Sequence, residues 1–220
     1  MSNIYSWKEK SPLPEAFGQK YIAYEDNVDT LIELFINTYS AVRTYHLCRP
    51  VNEDSYINRG IKVGNAELLI NNASEILTEL NKSISKNTIA NVLNGLDYSS
   101  GCLYLALDDE FMLEFAGHYA IYGSERLIAV FERLGVSKEQ LASVGRPTII
   151  NINLPIEAIN FDDLHNFIID INNAIIDGDQ MIDFAFLQER CISADLICQL
   201  EYPTEIVNRH DAGRIHRVCN

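Results

Sequence analysis

The spacing of apolar residues changes period several times along this chain, and each change marks an element. From Asp26, Val28, Leu31, Ile32, Leu34 and Phe35 recur three and four residues apart behind acidic residues, which predicts a helix. "AVRTYHLC" then reads as a strand, closed off by Pro50, which has no donor for the ladder. "NEDSYINRGI" predicts one or two helical turns stopped at Gly60, the residue that best accepts a left-handed backbone. In "NAELLINNASEILTELNKSI", Leu69, Ala73, Ile76, Leu77 and Leu80 form one stripe of an amphipathic helix, and "KNTIANVLNGL" predicts another, shorter one.

"GCLYLAL" is an apolar run short enough for a buried strand, and "DDEFMLEFAGHY" follows as a helix with acids in its first turn, which suits the macrodipole. "GSERLIAVFERLG" has Ser124 as N-cap and Gly135 as stop, and "SKEQ" at 137–140 is a capping box opening a further short helix. "PTIININLP" alternates Ile150, Ile152 and Leu154 with Asn151 and Asn153, the pattern of a half-buried strand. "FDDLHNFIIDINNAII" is helical, and "MIDFAFLQERCISADLICQLEYPTEIV" returns to short β-type segments. Helices come first, then strands split by helices, so an α+β fold is expected in place of a regular βαβ winding. Residues 1–40 read as a lead-in and helix, and residues 41–220 as a single α+β domain.

Composition narrows the function classes. At 220 residues and 47% apolar the chain can bury a real core. No stretch approaches the roughly 20 apolar residues that span a bilayer, so no membrane partner is expected. "MSNIYSWKEKSPLPEAFG" carries charges and prolines where a signal peptide needs an apolar run, so the expected location is cytoplasmic. The five cysteines, Cys48, Cys102, Cys191, Cys198 and Cys219, include no C-x-x-C pair and read as reduced thiols, with neither a disulfide framework nor a zinc site expected. A net charge of −14 argues against a broad nucleic-acid surface, whose affinity comes from neutralised phosphates. It leaves open a narrow pocket with a few arginines, and equally an antidote-like role against a basic protein partner.

Phosphate-binding, nucleophile-elbow and metalloprotease motifs are absent. "DDE" at 108–110 reads as dipole compensation at a helix start before it reads as a metal site, and no metal is expected. "HYAIYGSE" gathers His118, Tyr119, Tyr122 and Glu125 around Gly123, and its plain reading is a helix end, a turn and a new helix. Three further segments, "TYHLCRP", "SGCLYLALDD" and "LQERCIS", each begin or lie in an expected strand and offer one polar side chain to a cleft: His46, Tyr104 and Glu189.

In that order these segments resemble the ADP-ribosyltransferase superfamily, in the His-Tyr-Glu branch that includes diphtheria-toxin-like enzymes and poly(ADP-ribose) polymerases. "YHLCRP" stands at the first-strand His-Gly-(Thr/Ser) motif, "DSYINRGI" at its following short helix, and "GCLYLALDDEFMLEFAGHY" at the tyrosine-bearing strand and helix. "TIININLP" and "LQERCISADLICQLEYPTEIV" match the later strands, with Glu189 opening one at the catalytic position. Leu47 and Cys48 stand where the motif has glycine and a hydroxyl residue, and Arg190 where an apolar residue is usual.

The resemblance implies a split β-sheet core with an N-terminal helical region, NAD⁺ as substrate, and transfer of ADP-ribose to a macromolecular acceptor, a protein, in a toxin or defence setting. Glu189 would stabilise the oxocarbenium-like ribose. Tyr104 would be the wall on which nicotinamide stacks, with Tyr119 or Tyr122 opposite. His46 would orient the dinucleotide, and Arg49 would meet the pyrophosphate or pair with one of the chain's acids. A non-catalytic acidic binding or immunity-type protein on the same fold is the alternative, and an RNA 2′-phosphotransferase-like enzyme the third reading.

Overall fold

Strand β2 (Ala41–Cys48) is the spine of the molecule, and it pairs antiparallel with β4 (Thr148–Pro155) from Ala41↔Pro155 to Cys48↔Thr148. The computed structural model describes residues 3–19, 25–96 and 101–218, so Cys219 lies outside them. With β1 (Ile4–Tyr5), β3 (Leu103–Ala106), β5 (Ala185–Gln188) and β6 (Ile197–Glu201), these strands form one sheet in the order β5-β3-β2-β4-β6. All neighbours on that path are antiparallel. Because β4 takes one whole edge of β2, β1 and β3 share the other. The first pairs in parallel at Ala41 and Val42, the second at Tyr45↔Ala106 alone. A separate ribbon joins β7 (Glu205–Asn208) to β8 (Arg214–Arg217), the latter beyond the strands expected from sequence.

Side chains alternate across a strand, so each strand feeds two layers. Val42, Leu105, Ile150, Ile152 and Phe186 enter a core with Leu31 and Phe35 of α1 (Glu25–Thr38) and with Phe167 and Ile171 of α9 (Phe161–Asp177). The segment ahead of α1 belongs to this core. Tyr5, Trp7 and Phe17 are buried in it, and the Tyr5 ring meets Phe35 edge-on at 5.2 Å. On the opposite face Tyr45, Leu47 and Ile149 pack with Met112 of α5 (Asp109–Ala116), Ile121 of α6 (His118–Tyr122) and Ile206 of β7. A third cluster is helical, formed by α3 (Ala66–Glu79), α4 (Lys86–Asn94), α7 (Glu125–Arg133) and α8 (Lys138–Ala142) around Leu77, Ile89, Phe131 and Leu141.

The local signals act as expected. Ser124 accepts from the Leu127 amide, and Ser137 and Gln140 form the reciprocal capping box. Helix α2 (Asp54–Arg59) ends at Gly60, whose φ is +73°. A Cβ there would lie 1.9 Å from the Ile192 carbonyl oxygen, so only glycine permits the bridge between Ile61 and Ile192. Strand β4 differs from the expected half-buried pattern, since Asn151 is as enclosed as its apolar neighbours and donates from Nδ2 to Glu201 Oε1 at 2.5 Å. Its second face is covered by the layer containing α5, α6 and β7, which its own sequence does not encode. The architecture is α+β with an antiparallel sheet, and no described helix is long and apolar enough to cross a membrane.

Candidate functional site

The segments carrying His46, Tyr104 and Glu189 lie on or next to three consecutive strands, β2, β3 and β5. Tyr104 pairs with Leu187 and Leu103 with Gln188, the last residue of β5. Glu189 follows immediately, so it ends this strand where the sequence led us to expect it to open one. Tyr104 is 64% exposed, alternating with the buried Leu103 and Leu105, and Glu189 is exposed as well. Among the described residues Glu189 has no ion-pair or hydrogen-bond partner, and its exposed carboxylate is accessible.

His46 sits differently. It shares a sheet face with Val42, while Tyr45 and Leu47 point to the other layer. Tyr104 lies two residues from Ala106, the partner of Tyr45, so its ring belongs to the face opposite His46. The contact between the two runs through the backbone: His46 Nδ1 is 3.3 Å from the Tyr104 carbonyl oxygen. A carbonyl only accepts, so Nδ1 carries the hydrogen and Nε2 is the free lone pair. Burial holds the imidazole below its ordinary pKa, partly offset by this bond.

Tyr119, on α6, is half-buried, and its phenol is raised first by burial and then by the charges of Glu125 and Tyr104. Tyr104 and Tyr119 therefore stand within electrostatic reach of each other. The hydroxyl of Tyr104 is raised chiefly by a hydrogen bond with Cys102. Tyr122 is more structural: its hydroxyl accepts from Asn208 Nδ2 at 2.8 Å, and its ring packs between two hydrophobic clusters.

Arg49 is engaged through each of its three guanidinium nitrogens. Its Nε, Nη1 and Nη2 donate to the carbonyls of Val144 at 2.6 Å, Ala120 at 3.1 Å and Ala142 at 2.5 Å, tying β2 to the ends of α6 and α8. Burial lowers its guanidinium to about 10. It lines a pocket of about 620 Å³ with Arg146, His216 and Arg217. Arg146 lies over the Tyr202 ring with its Cζ 3.5 Å from the centroid, and Arg217 pairs with Glu205 at 3.2 Å. The "DDE" stretch is likewise spoken for in part. Asp108 caps α5 and also accepts from the Ile182 amide, while Lys8 pairs with Asp109 at 2.5 Å.

A further constellation escapes sequence reading. His118, Glu125 and His210 converge, with Glu125 Oε1 3.5 Å from His118 Nε2 and 3.9 Å from His210 Nε2. His118 and Glu125 are seven residues apart in "HYAIYGSE", but His210 arrives from the far end of the chain, and no local spacing announces it.

Comparison with known protein families, characterised proteins and solved structures finds no match for this chain.

Proposed function

We propose that the chain is an ADP-ribosyltransferase-like protein that takes NAD⁺ as substrate and modifies a protein acceptor. The observation that carries this reading is the adjacency of β2, β3 and β5, which puts the exposed Tyr104 one strand from the accessible Glu189. The near-separation of β2 from β3, joined at Tyr45↔Ala106 alone, supports the split-sheet description that the resemblance implies. In this reading nicotinamide stacks on Tyr104, with Tyr119 as the opposing wall. As the glycosidic bond lengthens, positive charge develops on the ribose, and the Glu189 carboxylate stabilises it where it forms.

Two roles shift from those implied by resemblance. With Nδ1–H on the Tyr104 carbonyl, His46 is a positioning residue that holds the tyrosine strand against β2. Arg49, with three of its five N–H groups committed to backbone carbonyls, is read as a structural tie in place of the pyrophosphate contact.

A second reading is an acidic binding protein that keeps the fold without the reaction. It is favoured by Leu47, whose buried side chain fills a position where the resembled motif has glycine. One experiment separates the two: nicotinamide release from NAD⁺ by the purified protein and its Glu189→Gln variant, with cell extract as acceptor. Release that depends on Glu189 supports the transferase. No release, together with no thermal stabilisation by millimolar NAD⁺, overturns it in favour of the binding protein. A ligand at about 100 times its Kd should add roughly 2.7 kcal/mol of stability.

A further inference from the structure

His118 is nine-tenths buried at the start of α6, and neither of its ring nitrogens has a hydrogen-bond partner. The Glu125 carboxylate is 3.5 Å from Nε2, close enough for an ion pair but outside hydrogen-bond geometry. A buried polar group left in this state has given up its water without a replacement partner, which is unfavourable unless something else occupies the site. The orphaned imidazole faces a second one, since the rings of His118 and His210 have centroids 4.4 Å apart and are tilted by 41°.

Three separate elements are built to bring these groups together. Gly117 precedes His118, and a Cβ there would lie 2.4 Å from the Val207 carbonyl and 2.6 Å from Ile206 Cγ2, so the glycine lets β7 close onto α6. That approach carries His210 over His118. The turn bearing His210 is held by Asn208, whose Oδ1 accepts from the His210 amide at 3.1 Å and whose Nδ2 reaches Tyr122. Arg209 anchors the same turn by donating to the Glu114 carbonyl at 2.9 Å. Glu125 is the first residue of α7, placed by the Gly123 turn and the Ser124 cap.

We propose that His118, His210 and Glu125 form a binding site for a divalent transition-metal ion of the zinc class. Two imidazoles and a carboxylate are a donor set that suits zinc, at bond lengths of about 2.0–2.2 Å. A tetrahedral ion with such bonds holds its ligand atoms roughly 3.3–3.5 Å apart. The Glu125 separations of 3.5 and 3.9 Å need little contraction, which the exposed Glu125 side chain is free to make, and all donor atoms lie within 4.8 Å of one another, so a shift of the His210 ring on its exposed turn closes the remainder. Three protein ligands leave a fourth position for water or a substrate atom, the arrangement of zinc sites that exchange ligands. The site borders the proposed NAD⁺ chemistry, because the His118 and Tyr119 rings have centroids 4.2 Å apart, but none of its three ligands is assigned a role in that chemistry.

The test uses the full chain, stripped with a chelator, dialysed and titrated with Zn²⁺ against a chromophoric competitor. Wild type is expected to bind one ion per chain. His210→Gln and Glu125→Gln, both at exposed positions, should each weaken binding about tenfold or more with unchanged circular dichroism. Thermal unfolding with and without Zn²⁺ gives a second readout, with stabilisation in wild type and little in the variants. Either no binding at micromolar free zinc or equal binding by wild type and both variants, as thiols or scattered surface acids would produce, overturns the site.

Discussion

The side chain of His46 and the main chain of Tyr104 are joined at 3.3 Å at the place where β2 and β3 stop sharing a regular ladder. The imidazole thus supplies a donor that the backbone does not, and it ties the position of Tyr104 to the protonation of a histidine. His46→Ala removes the donor and leaves the carbonyl short of a partner, which should cost about 1 kcal/mol. His46→Gln, which can still donate, should retain most of that. Urea unfolding of the two variants beside wild type checks the difference.

The same bond has a pH signature. His46, His118 and His216 are all held below the ordinary histidine value, each mainly by burial, with His210 adding to the effect at His118 and Arg49 at His216. For a base whose pKa is depressed on folding, the unfolded chain binds more protons on acidification. Stability is therefore full above the unfolded pKa of about 6.5 and is lost as pH falls from there through the folded values. Asp170, raised by burial and by Asp183, acts in the opposite sense but is common to both proteins compared. The expected result is a shallower loss below pH 6.5 in His46→Gln than in wild type. Identical curves would remove His46 from this titration.

Arg49 tests whether a buried guanidinium serves the fold or a ligand. Lysine keeps the charge but cannot aim a planar fork at three carbonyls. Arg49→Lys should lose about 2 kcal/mol or more by chemical denaturation, because at least one buried carbonyl loses its donor. At a temperature where the variant remains folded, its affinity for NAD⁺ should match wild type. A selective fall in affinity would return Arg49 to the pyrophosphate.

Gly60 links fold and site through one backbone conformation. With φ at +73°, ψ at −167° and the Ile192 carbonyl where a Cβ would be, Gly60→Ala must break the bridge from Ile61 to Ile192. A loss of at least about 2 kcal/mol is expected, from backbone strain alone of roughly 1–3 kcal/mol plus the clash. Ile192 is three residues beyond Glu189, so the variant should also lower any Glu189-dependent nicotinamide release under conditions where it is folded. Thermal unfolding and the release assay measure the two effects separately.

Tyr104 offers the cleanest separation of binding from stability. Its ring is 64% exposed, so Tyr104→Ala should change unfolding free energy by no more than about 0.5 kcal/mol. Loss of a stacking wall should weaken NAD⁺ binding by roughly 1–3 kcal/mol. Calorimetric titration of wild type and variant reads that change, and equal affinities would rule Tyr104 out as the wall.

Much of the fold was legible because its signals are local. The limits of β2 coincide with the "AVRTYHLC" run, since alternation and the following proline act within a few residues. The caps at Ser124 and Ser137 and the stop at Gly60 bond within their own turns, so spacing alone reveals them. The enclosure of Asn151 was not legible, because it sits between Tyr45 of β2 and Gln199 of β6 and donates to Glu201, residues roughly fifty to a hundred positions away in the chain. Glu189 was expected to open a strand and instead follows β5, whose end is set by where its partner Leu103 begins β3.

The sequence by itself determined where most of the chain is helical or extended, though not β1 or β8, and which residues cap and stop several of its helices. Only the tertiary structure decided what the side chains on these elements do. It turned His46 toward the Tyr104 carbonyl, spent Arg49 on three helix-end carbonyls, and brought His210 onto His118. Helix and strand formation depend on neighbours within about four residues, whereas hydrogen-bond and ligand partners are fixed by non-local packing. Chain spacing does not encode that packing.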